Sequence, residues 1–319
     1  RSATPAAVNR CHHLAAPATP LMTSRLLLNL GLAALAIALV LVVIYKPGIE
    51  PEPAPLRLTT ALEPSSAVSI TVSRDLRPPL TLTRKADDWY VFSGEQELPA
   101  AGFQVNALLR LLTTTAAQHY AVDALDPSAL GLEPAQATVR IDDIDFHFGM
   151  TEPLENRRYV RRGDTVYLLD DQYQHLVNAD WASFVRRGLF GADERITRLE
   201  LPDMTLEQAA DGNWHVEPDR PDAGTDALQG LVDNWQRAQA LYIRSYTGTD
   251  SGETVRAETR DPEQSIELRI VSHAPDLVIA RPDWGIQYHL TTGLEESLFT
   301  LPEPAQDEQA SAQEATTAP

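Results

Sequence analysis

Two stretches of the sequence concentrate side chains that could do chemistry, and residues 142–148 are the first. They read DDIDFHF, so three carboxylates and an imidazole fall within six positions. A calcium or transition-metal site needs several such ligands converging at fixed distances. In an alternating strand, however, Asp145 and His147 share one face, and Phe146 and Phe148 share the other. We therefore interpret this stretch as a solvated strand face beside a turn and predict no metal there.

Arginines form the second concentration, within about thirty residues of an otherwise acidic domain. A guanidinium group binds carboxylate and phosphate in a bidentate manner, so these residues are a candidate patch for an anionic partner or a lipid head group. The alternative is a charged hairpin and helix surface that pairs with local acids. The candidate patch consists of Arg157, Arg158, Arg161, Arg162, Arg186 and Arg187.

The motifs of common catalytic sites are missing from the sequence. Nucleophilic catalysis needs a Ser or Cys on a sharp turn with His and Asp partners, and no G-x-S-x-G occurs. The histidines lack the H-E-x-x-H spacing of zinc hydrolases, and there is no G-x-x-x-x-G-K-[ST] phosphate loop. We therefore predict no catalytic residues, no cofactor and no enzymatic activity.

Composition excludes two further classes of protein. The 319 residues carry a net charge of −19, whereas a nucleic-acid-binding protein needs a basic face. A single cysteine, Cys11, cannot form an internal disulfide, so the chain is not a disulfide-stapled domain.

A membrane anchor is predicted near the N-terminus. From Leu26 to Tyr45 the only strongly polar side chain is Asn29, and a helix of twenty residues spans the roughly 30 Å hydrocarbon layer. A cleaved signal peptide is the alternative, but its apolar stretch is usually about 7–15 residues and ends in an A-x-A-like site, which this stretch lacks. Three arginines precede the helix and all 45 acidic residues follow it, so we predict a single-pass membrane protein with a cytoplasmic N-terminus and the large C-terminal domain outside the cytoplasm.

Changes of composition suggest the domain boundaries. Residues 1–21 are interpreted as upstream sequence or a cytoplasmic tail, because Met22 resembles a natural start. Five prolines make 47–66 a semi-extended linker, and the acidic tail at 301–319 is too poor in apolar residues to fold. The predicted segments are a tail at 1–21, an anchor at 22–46, a linker at 47–66, a first unit at 67–193, a second unit at 194–300 and a disordered tail at 301–319.

The two central units repeat one pattern. Ile70 and Ile196 open alternating strands 126 positions apart, and Trp89 and Trp214 follow turns 125 positions apart. Each unit then has a helix, predicted at 101–117 and 225–241, with apolar residues at i, i+3, i+4 and i+7. Strand pairs close both units. This order of strands, one helix and strands predicts the α+β class, as two repeated units of mostly antiparallel sheet.

These residues resemble a known family. An N-terminal apolar helix, Trp89 closing a strand pair, the leucine-rich helix around Leu108, the segment LGLEP at 130–134 and the strand TVRI at 138–141 are similar to the bacterial envelope family called domain of unknown function 4340. The resemblance implies a single-pass inner-membrane protein without assigned chemistry. It also implies an accessory role beside ABC transporters of the gliding-motility type.

Three functional hypotheses follow. The first is a membrane-anchored, non-enzymatic interaction module of the periplasm, accessory to an ABC-type transporter or another envelope assembly. The second is a periplasmic ligand-binding protein with a cleft between the two repeats, and the third is an unrecognised hydrolase. A deep pocket with convergent polar groups would favour ligand binding, whereas a filled junction would favour the interaction module.

Overall fold

A computed structural model describes residues 21–45, 55–248, 252–260 and 262–301. The chain divides into two compact units, residues 1–53 and 54–319. The first contains helix α1 (Leu21–Tyr45), and the second contains two antiparallel sheets with their helices. Residues 1–20 and 302–319, which include most of the predicted terminal tails, lie outside the described residues.

Helix α1 exposes an apolar surface. Its leucine, isoleucine and valine side chains between residues 26 and 42 are 47–69% exposed. The structure describes the side chains of α1 for residues 26–42 only. Within the described part of the chain, no helix is both long and apolar enough to cross a membrane. The membrane anchor at 22–46 therefore stays a prediction.

The second unit is built mainly from short strands. Its helices are α2 (Gly102–Leu109), α3 (Gln174–Asn178), α4 (Thr225–Arg237) and α5 (Glu295–Phe299). Its strands are β1 (Leu56–Arg57), β2 (Ser69–Arg74), β3 (Arg77–Lys85), β4 (Asp88–Ser93), β5 (Gln96–Pro99), β6 (Thr115–Ala116), β7 (His119–Ala121), β8 (Ala137–Ile141), β9 (Ile144–Thr151), β10 (Arg157–Arg162), β11 (Thr165–Asp170), β12 (Ile196–Leu201), β13 (Met204–Gln208), β14 (Trp214–Glu217), β15 (Tyr242–Ser245), β16 (Thr254–Arg260), β17 (Glu263–Ser272), β18 (Leu277–Arg281) and β19 (Ile286–Leu290). Short 3-10 turns lie at Pro64–Ser66, Arg110–Leu112, Val122–Ala124, Trp181–Phe184, Pro282–Trp284 and Thr292–Leu294.

The first sheet has the strand order β5-β4-β3-β2-β8-β9-β10-β11-β7, with antiparallel neighbours throughout. Alternation of apolar and polar residues creates one buried face, as in β2, where Ile70 and Val72 are fully buried. A hairpin turn lies between β10 and β11, since Arg162 at the end of β10 pairs with Thr165 at the start of β11.

The second sheet has the order β14-β13-β12-β16-β17-β18-β19-β15, again antiparallel. Without β5, the first sheet has the same sequence of neighbours, strand for strand. Helix α2 follows the fourth strand of the first sheet along the chain and precedes the short edge strand β7. Helix α4 follows the third strand of the second sheet and precedes the short edge strand β15. The predicted class, α+β with mostly antiparallel sheets and few helices, is confirmed. The superposition of 67–193 on 194–300 as related repeats stays a prediction.

Both predicted helix stripes lie in the core, but both helices end earlier than predicted, α4 at Arg237 rather than at 241 and α2 by more. Helix α2 ends at Leu109 and continues only as a 3-10 turn, whereas the sequence pattern suggested 101–117. The hydroxyls of Thr113 and Thr114 donate to the carbonyl oxygen of Arg110, at 3.2 and 2.8 Å. These bonds satisfy that carbonyl without a further helical turn, and β-branched threonines lower helix propensity. Helix α4 buries Leu228, Leu231, Val232 and Trp235 as predicted.

The chain enters the second unit through β1, which pairs with β6. Leu58 is only 1% exposed and its backbone N–H donates to the carbonyl of Thr114 at 3.0 Å. The folded part therefore begins within the predicted linker of 47–66, because the apolar side chain of Leu58 packs into the core despite the surrounding prolines.

A single segment, residues 184–189, joins the two sheets. On one side it bonds to the end of β5, where the N–H of Arg186 donates to Pro99 and the N–H of Ala101 donates to Phe184. On the other side the N–H of Leu189 donates to Ala238, and the N–H of Ala240 donates to Arg187. The buried side chains of both sheets belong to one continuous core.

Candidate functional site

A cleft lies at the junction of the two sheets, beside segment 184–189. Its volume is about 810 Å³, which lies within the range of about 300–1,000 Å³ usual for ligand pockets. Strands β3, β4 and β5, helix α2 and the loops before β12 and β17 contribute its walls. The polar and aromatic side chains that line it are Ser65, Arg84, Asp87, Asp88, Trp89, Tyr90, Asn106, Arg186, Asp193 and Glu194.

Two arginines from opposite sides bring positive charge to the cleft. Arg84 lies on β3 and donates to the carbonyl of Ser65, with its Nη2 3.5 Å from Asp87. Arg186 lies on the joining segment, and its Nη2 is 3.4 Å from Oε2 of Glu194. Within the described part of the chain, the Nε atoms of both arginines are buried without a hydrogen-bond partner. Each guanidinium therefore keeps one donor that no described residue satisfies.

Glu194 fixes the position of Arg186. Its side chain is 14% exposed, accepts a hydrogen bond from the backbone N–H of Gly191, and accepts another from Nε2 of Gln264 at 3.1 Å. A carboxylate that already holds these donors has little capacity left for a ligand. Arg186, in contrast, is oriented by Glu194 and retains the free Nε donor.

A second group of polar side chains lies in the core of the second sheet. The register of β18 and β19 puts Arg281 and Tyr288 on the same buried face, and Arg281 is 2% exposed. The Arg281 guanidinium stacks 3.4 Å from the ring centre of Trp284, and its Nε is 3.3 Å from Asp283. Among described residues, Arg281 Nη1 and the Tyr288 hydroxyl have no hydrogen-bond partner.

Electrostatic coupling connects this group to the cleft. Burial raises the pKa of Tyr288 to about 12, while the positive charges of Arg281 and Arg186 act in the opposite direction. The negative charge of Glu194 adds to the upward shift of the Tyr288 pKa. Guanidinium groups stay protonated, so Arg186 and Arg281 are fixed positive charges beside the Tyr288 hydroxyl.

The six arginines of the candidate patch do not form one surface, and Arg158 is buried. Its Nε and Nη2 hold the carboxylate of Asp171 at 2.8 and 3.0 Å, in a bidentate ion pair whose side chains are both 9% exposed. Nη1 donates to the carbonyl of Gly149 at 2.6 Å and Nη2 to the hydroxyl of Thr151 at 2.9 Å. Arg158 cannot contact a partner, because its donors are used inside the domain.

Local acids neutralise two other arginines of β10. Arg157 pairs with Glu155 at 2.8 Å, and Arg161 pairs with Glu133 and also donates to the carbonyl of Gly163. The alternative of a hairpin surface that pairs with local acids therefore describes these residues well. Among described residues, the side chain of Arg162 has no polar partner.

Arg186 and Arg187 belong to the joining segment rather than to the β10 hairpin. Arg186 turns into the cleft, while Arg187 is exposed. The sequence could not separate these roles, because the bonds to Asp171 and Glu194 depend on strand register and loop geometry. The carboxylates at 170–171 and 193–194 were the sequence signal that these arginines could form local ion pairs.

The acidic stretch 142–148 has the predicted strand geometry. Asp142 lies in the turn before β9 and accepts hydrogen bonds from the backbone N–H groups of Val68 and Ser69, at 3.1 and 2.8 Å. Asp145 forms a bidentate ion pair with Arg140, at 2.6 and 2.9 Å, which lowers its pKa. Nδ1 of His147 lies 3.1 Å from the hydroxyl of Thr138. These contacts hold neighbouring strands in register.

A cluster around His289 was not predicted. Its ring stacks on Tyr242 with the ring centres 4.4 Å apart, and its Nε2 lies 3.0 Å from the side-chain amide of Gln287. Desolvation lowers the pKa of His289, and Arg244 lowers it further, while Asp276 opposes the shift. No sequence pattern indicates this cluster, because β15 and β19 are 41 positions apart and their pairing is not encoded in local spacing.

Comparison with known proteins gives a family and no characterised relative. A profile of the family described as Domain of unknown function (DUF4340) matches residues 89–253, just over half of the chain. No curated protein matches, and no solved structure does. The matched residues begin in β4 and end before β16, so they include the joining segment, the β10 hairpin and α4. The chain belongs to the family of domain of unknown function 4340, as its sequence resemblance indicated.

Proposed function

We propose that this protein is a membrane-anchored, non-enzymatic binding module of the bacterial envelope. Helix α1 would be the single anchor, and the two-sheet unit would lie in the periplasm. The observation that carries the proposal is the apolar surface of α1, whose large apolar side chains are 47–69% exposed over residues 26–42. Such a surface is unfavourable in water and needs lipid or another helix against it.

The charge distribution supports the proposed orientation. Arg1, Arg10 and Arg25 precede the apolar run, and every acidic residue follows it. Positive segments are retained in the cytoplasm, so the acidic two-sheet unit would be exported. A cleaved signal peptide would export the same unit without the anchor.

The two sheets support a module that arose by duplication. Their strand orders coincide apart from β5, and α2 and α4 occupy equivalent places between the third or fourth strand and the short edge strand. Overlaying the two sheets should bring α2 onto α4. Failure of these helices to coincide would contradict duplication.

The family resemblance makes an ABC-type transporter the first partner to test. Crosslinking in cells followed by detergent extraction of the full chain should recover transporter subunits. Arg157, Arg161 and Arg162 changed together to Glu should weaken recovery, because these arginines of β10 lie at or near the surface. The matched control is Arg237→Glu, a charge reversal on an arginine of α4 that is 71% exposed. Equal recovery from both variants would remove the β10 surface from the proposal.

Topology can be tested independently of any partner. Alkaline phosphatase fused after Leu301 should be active, because it needs an oxidising exterior to fold. If a reporter that is active only in the cytoplasm were active when fused after Leu301, export would be refuted. Extraction of the intact chain by high-salt or alkaline washing would refute the anchor.

A second candidate function is ligand binding in the junction cleft. The observation in its favour is that Arg84 and Arg186 both line a cavity of about 810 Å³, and that their Nε atoms have no hydrogen-bond partner among the described residues. Titration with inorganic phosphate or citrate should change the fluorescence of Trp89 in a saturable way. Arg186→Met should abolish the change, whereas Arg187→Met, at the exposed neighbouring position, should not. Identical titrations of the two variants would exclude this function.

A further inference from the structure

Two strand connections, helix α3 and the entry of the chain all lie at one end of the first sheet. Strand β2 ends and β3 begins at the turn formed by Asp75 and Leu76, and β9 ends and β10 begins around the loop 152–156. The register of β2 with β8, β8 with β9, and β9 with β10 puts both connections at the same end of the sheet. Helix α3 follows β11 at this end, because Arg157 at the start of β10 pairs with Asp170 at the end of β11.

The entry of the chain into the folded unit lies at this end as well. Strand β1 pairs with β6, and the hydroxyl of Thr114 just before β6 lies 2.6 Å from the hydroxyl of Tyr173 just before α3. A small cavity between β6, the start of β10 and the end of β11 is lined by Thr115, Arg157 and Asp170. The first folded residues after α1 are therefore next to the two connections.

Each of the two connections carries a leucine that is exposed to an unusual degree. Leu76 is 105% exposed relative to the reference state and has φ of +60°, a left-handed conformation that bulky residues rarely adopt. Leu154 is 91% exposed. Gly, Asn or Asp is the usual choice for a left-handed position in a two-residue turn, so an exposed Leu there has neither a packing nor a backbone reason within the domain.

The domain holds both leucines on ordered turns. Arg74 donates to the carbonyls of Val177 and Ala179, and Nη1 of Arg77 donates to that of Asn178 at 2.9 Å. These bonds fasten the Leu76 turn to the C-terminal end of α3 and to Ala179, the residue that follows it. The carboxylate of Glu152 accepts from the backbone N–H of Glu155 at 3.0 Å, which closes the turn around Leu154.

The spacing of the two leucines fits a flat apolar surface. Strands β3 and β2 flank one turn and β9 and β10 the other, so three strand spacings separate the turns, roughly 14 Å at about 4.8 Å per strand. Arginine and carboxylate side chains both occur beside the turns, and their mixture gives no net preference for an anionic surface. Penetration of two leucines, rather than charge, would then determine attachment.

We infer that Leu76 and Leu154 insert into the lipid bilayer and hold this end of the first sheet against the membrane. The inference rests on the proposed anchoring of α1. Nine residues, 46–54, separate α1 from the described start of the second unit, and they reach at most roughly 30 Å at about 3.3–3.6 Å per residue. Two leucines alone bind lipid weakly, but a short tether raises the effective concentration of the membrane surface near them.

The test uses the full chain in vesicles with Cys11→Ser, which leaves no other cysteine. A bimane label is placed on Asp75→Cys beside Leu76, on Asp164→Cys at the opposite end of the sheet, or on Ala36→Cys within α1. Lipids brominated along their acyl chains quench a label that lies at the bilayer. We expect quenching at 75 and 36, none at 164, and no dependence on salt concentration.

The comparison that decides the matter changes Leu76 and Leu154 together to Asp. Quenching at position 75 should be lost while quenching at position 36 is retained, and Asp tolerates the left-handed position, so the fold should persist by circular dichroism. Quenching at 36 with none at 75 in the unchanged chain would overturn docking and leave the anchor intact. Equal quenching at 75 with and without the leucines would also overturn docking. Absence of quenching at 36 would refute the anchor, and the docking inference with it.

Discussion

Replacing Arg158 by Met should destabilise the two-sheet unit severely, because it would leave Asp171 as an uncompensated charge in the interior. The side chains of both residues are 9% exposed, and four hydrogen bonds of 2.6–3.0 Å hold the guanidinium. Removing one partner of a buried ion pair typically costs about 3–5 kcal/mol. A domain of this size has roughly 5–15 kcal/mol of stability, so Arg158→Met should lose a large part of it.

Thermal unfolding of the full chain in detergent provides the assay. At about 2–4 °C per kcal/mol for a domain of this size, the midpoint should fall by roughly 6–20 °C. The matched control is Arg162→Met, on the same strand, whose side chain has no polar partner among the described residues. That variant should change stability by less than about 0.5 kcal/mol.

A second variant separates pairing from packing. If the cost arises from the charge of Asp171, the double variant Arg158→Met with Asp171→Asn should recover about 1–3 kcal/mol of the loss, since a neutral amide is cheaper to bury than a carboxylate. The reasoning is refuted if Arg158→Met and Arg162→Met have the same melting temperature. It is also refuted if the double variant is less stable than Arg158→Met alone.

Three further perturbations test other parts of the structure. Tyr288→Phe should not lower the free energy of unfolding at neutral pH, because the hydroxyl has no partner among the described residues; a loss above about 1 kcal/mol in urea unfolding would show that it is bonded. Because the folded pKa of Tyr288 is about 12, the unchanged protein should lose stability as pH rises above about 10, by up to about 3 kcal/mol, and Tyr288→Phe should remove that dependence in alkaline urea titrations. The lowered pKa of His289 means that the unfolded chain binds its proton more readily, so stability should fall as pH decreases below about 6.5, and His289→Gln should flatten the pH profile between 7 and 5; an unchanged slope would contradict the assignment. Trp235→Ala should cost about 3–5 kcal/mol, since this side chain is fully buried and donates to the carbonyl of Leu298 at 2.6 Å, whereas Trp284→Ala, at a half-buried position, should cost less.

Local periodicity was enough to predict most of the strands and both main helices. Strand β12 has the predicted bounds, Ile196–Leu201, because its apolar and polar residues alternate without interruption. Strand β16 was missed, since its inward positions include Ala257 and Thr259, which are too small or too polar to mark a buried face in sequence. The early end of α2 follows from hydroxyl bonds that periodicity does not register.

The candidate arginine patch could be located from the sequence, but its roles could not be assigned. A run of arginines on a strand alternates between faces, and only the fold determines which face is buried. Here the buried position is Arg158, and the acid that compensates it comes from a neighbouring segment 13 residues later. The cleft was predicted as an alternative between the units, but Arg84 and Glu194 were not, because residues 110 positions apart meet there only through the joining segment.

The joining segment makes the two sheets dependent on each other for folding. By position in the chain it belongs to the predicted first repeat, residues 67–193, yet its backbone bonds to residues 238–240 of the predicted second repeat, residues 194–300. Separation of the chain between residues 193 and 194 would leave the N–H of Leu189 without its acceptor, Ala238, in one product and the N–H of Ala240 without its acceptor, Arg187, in the other. Neither half could then be exchanged or deleted without disturbing these bonds. Amides on both sides of residues 184–189 should therefore exchange with solvent in one cooperative opening rather than in two.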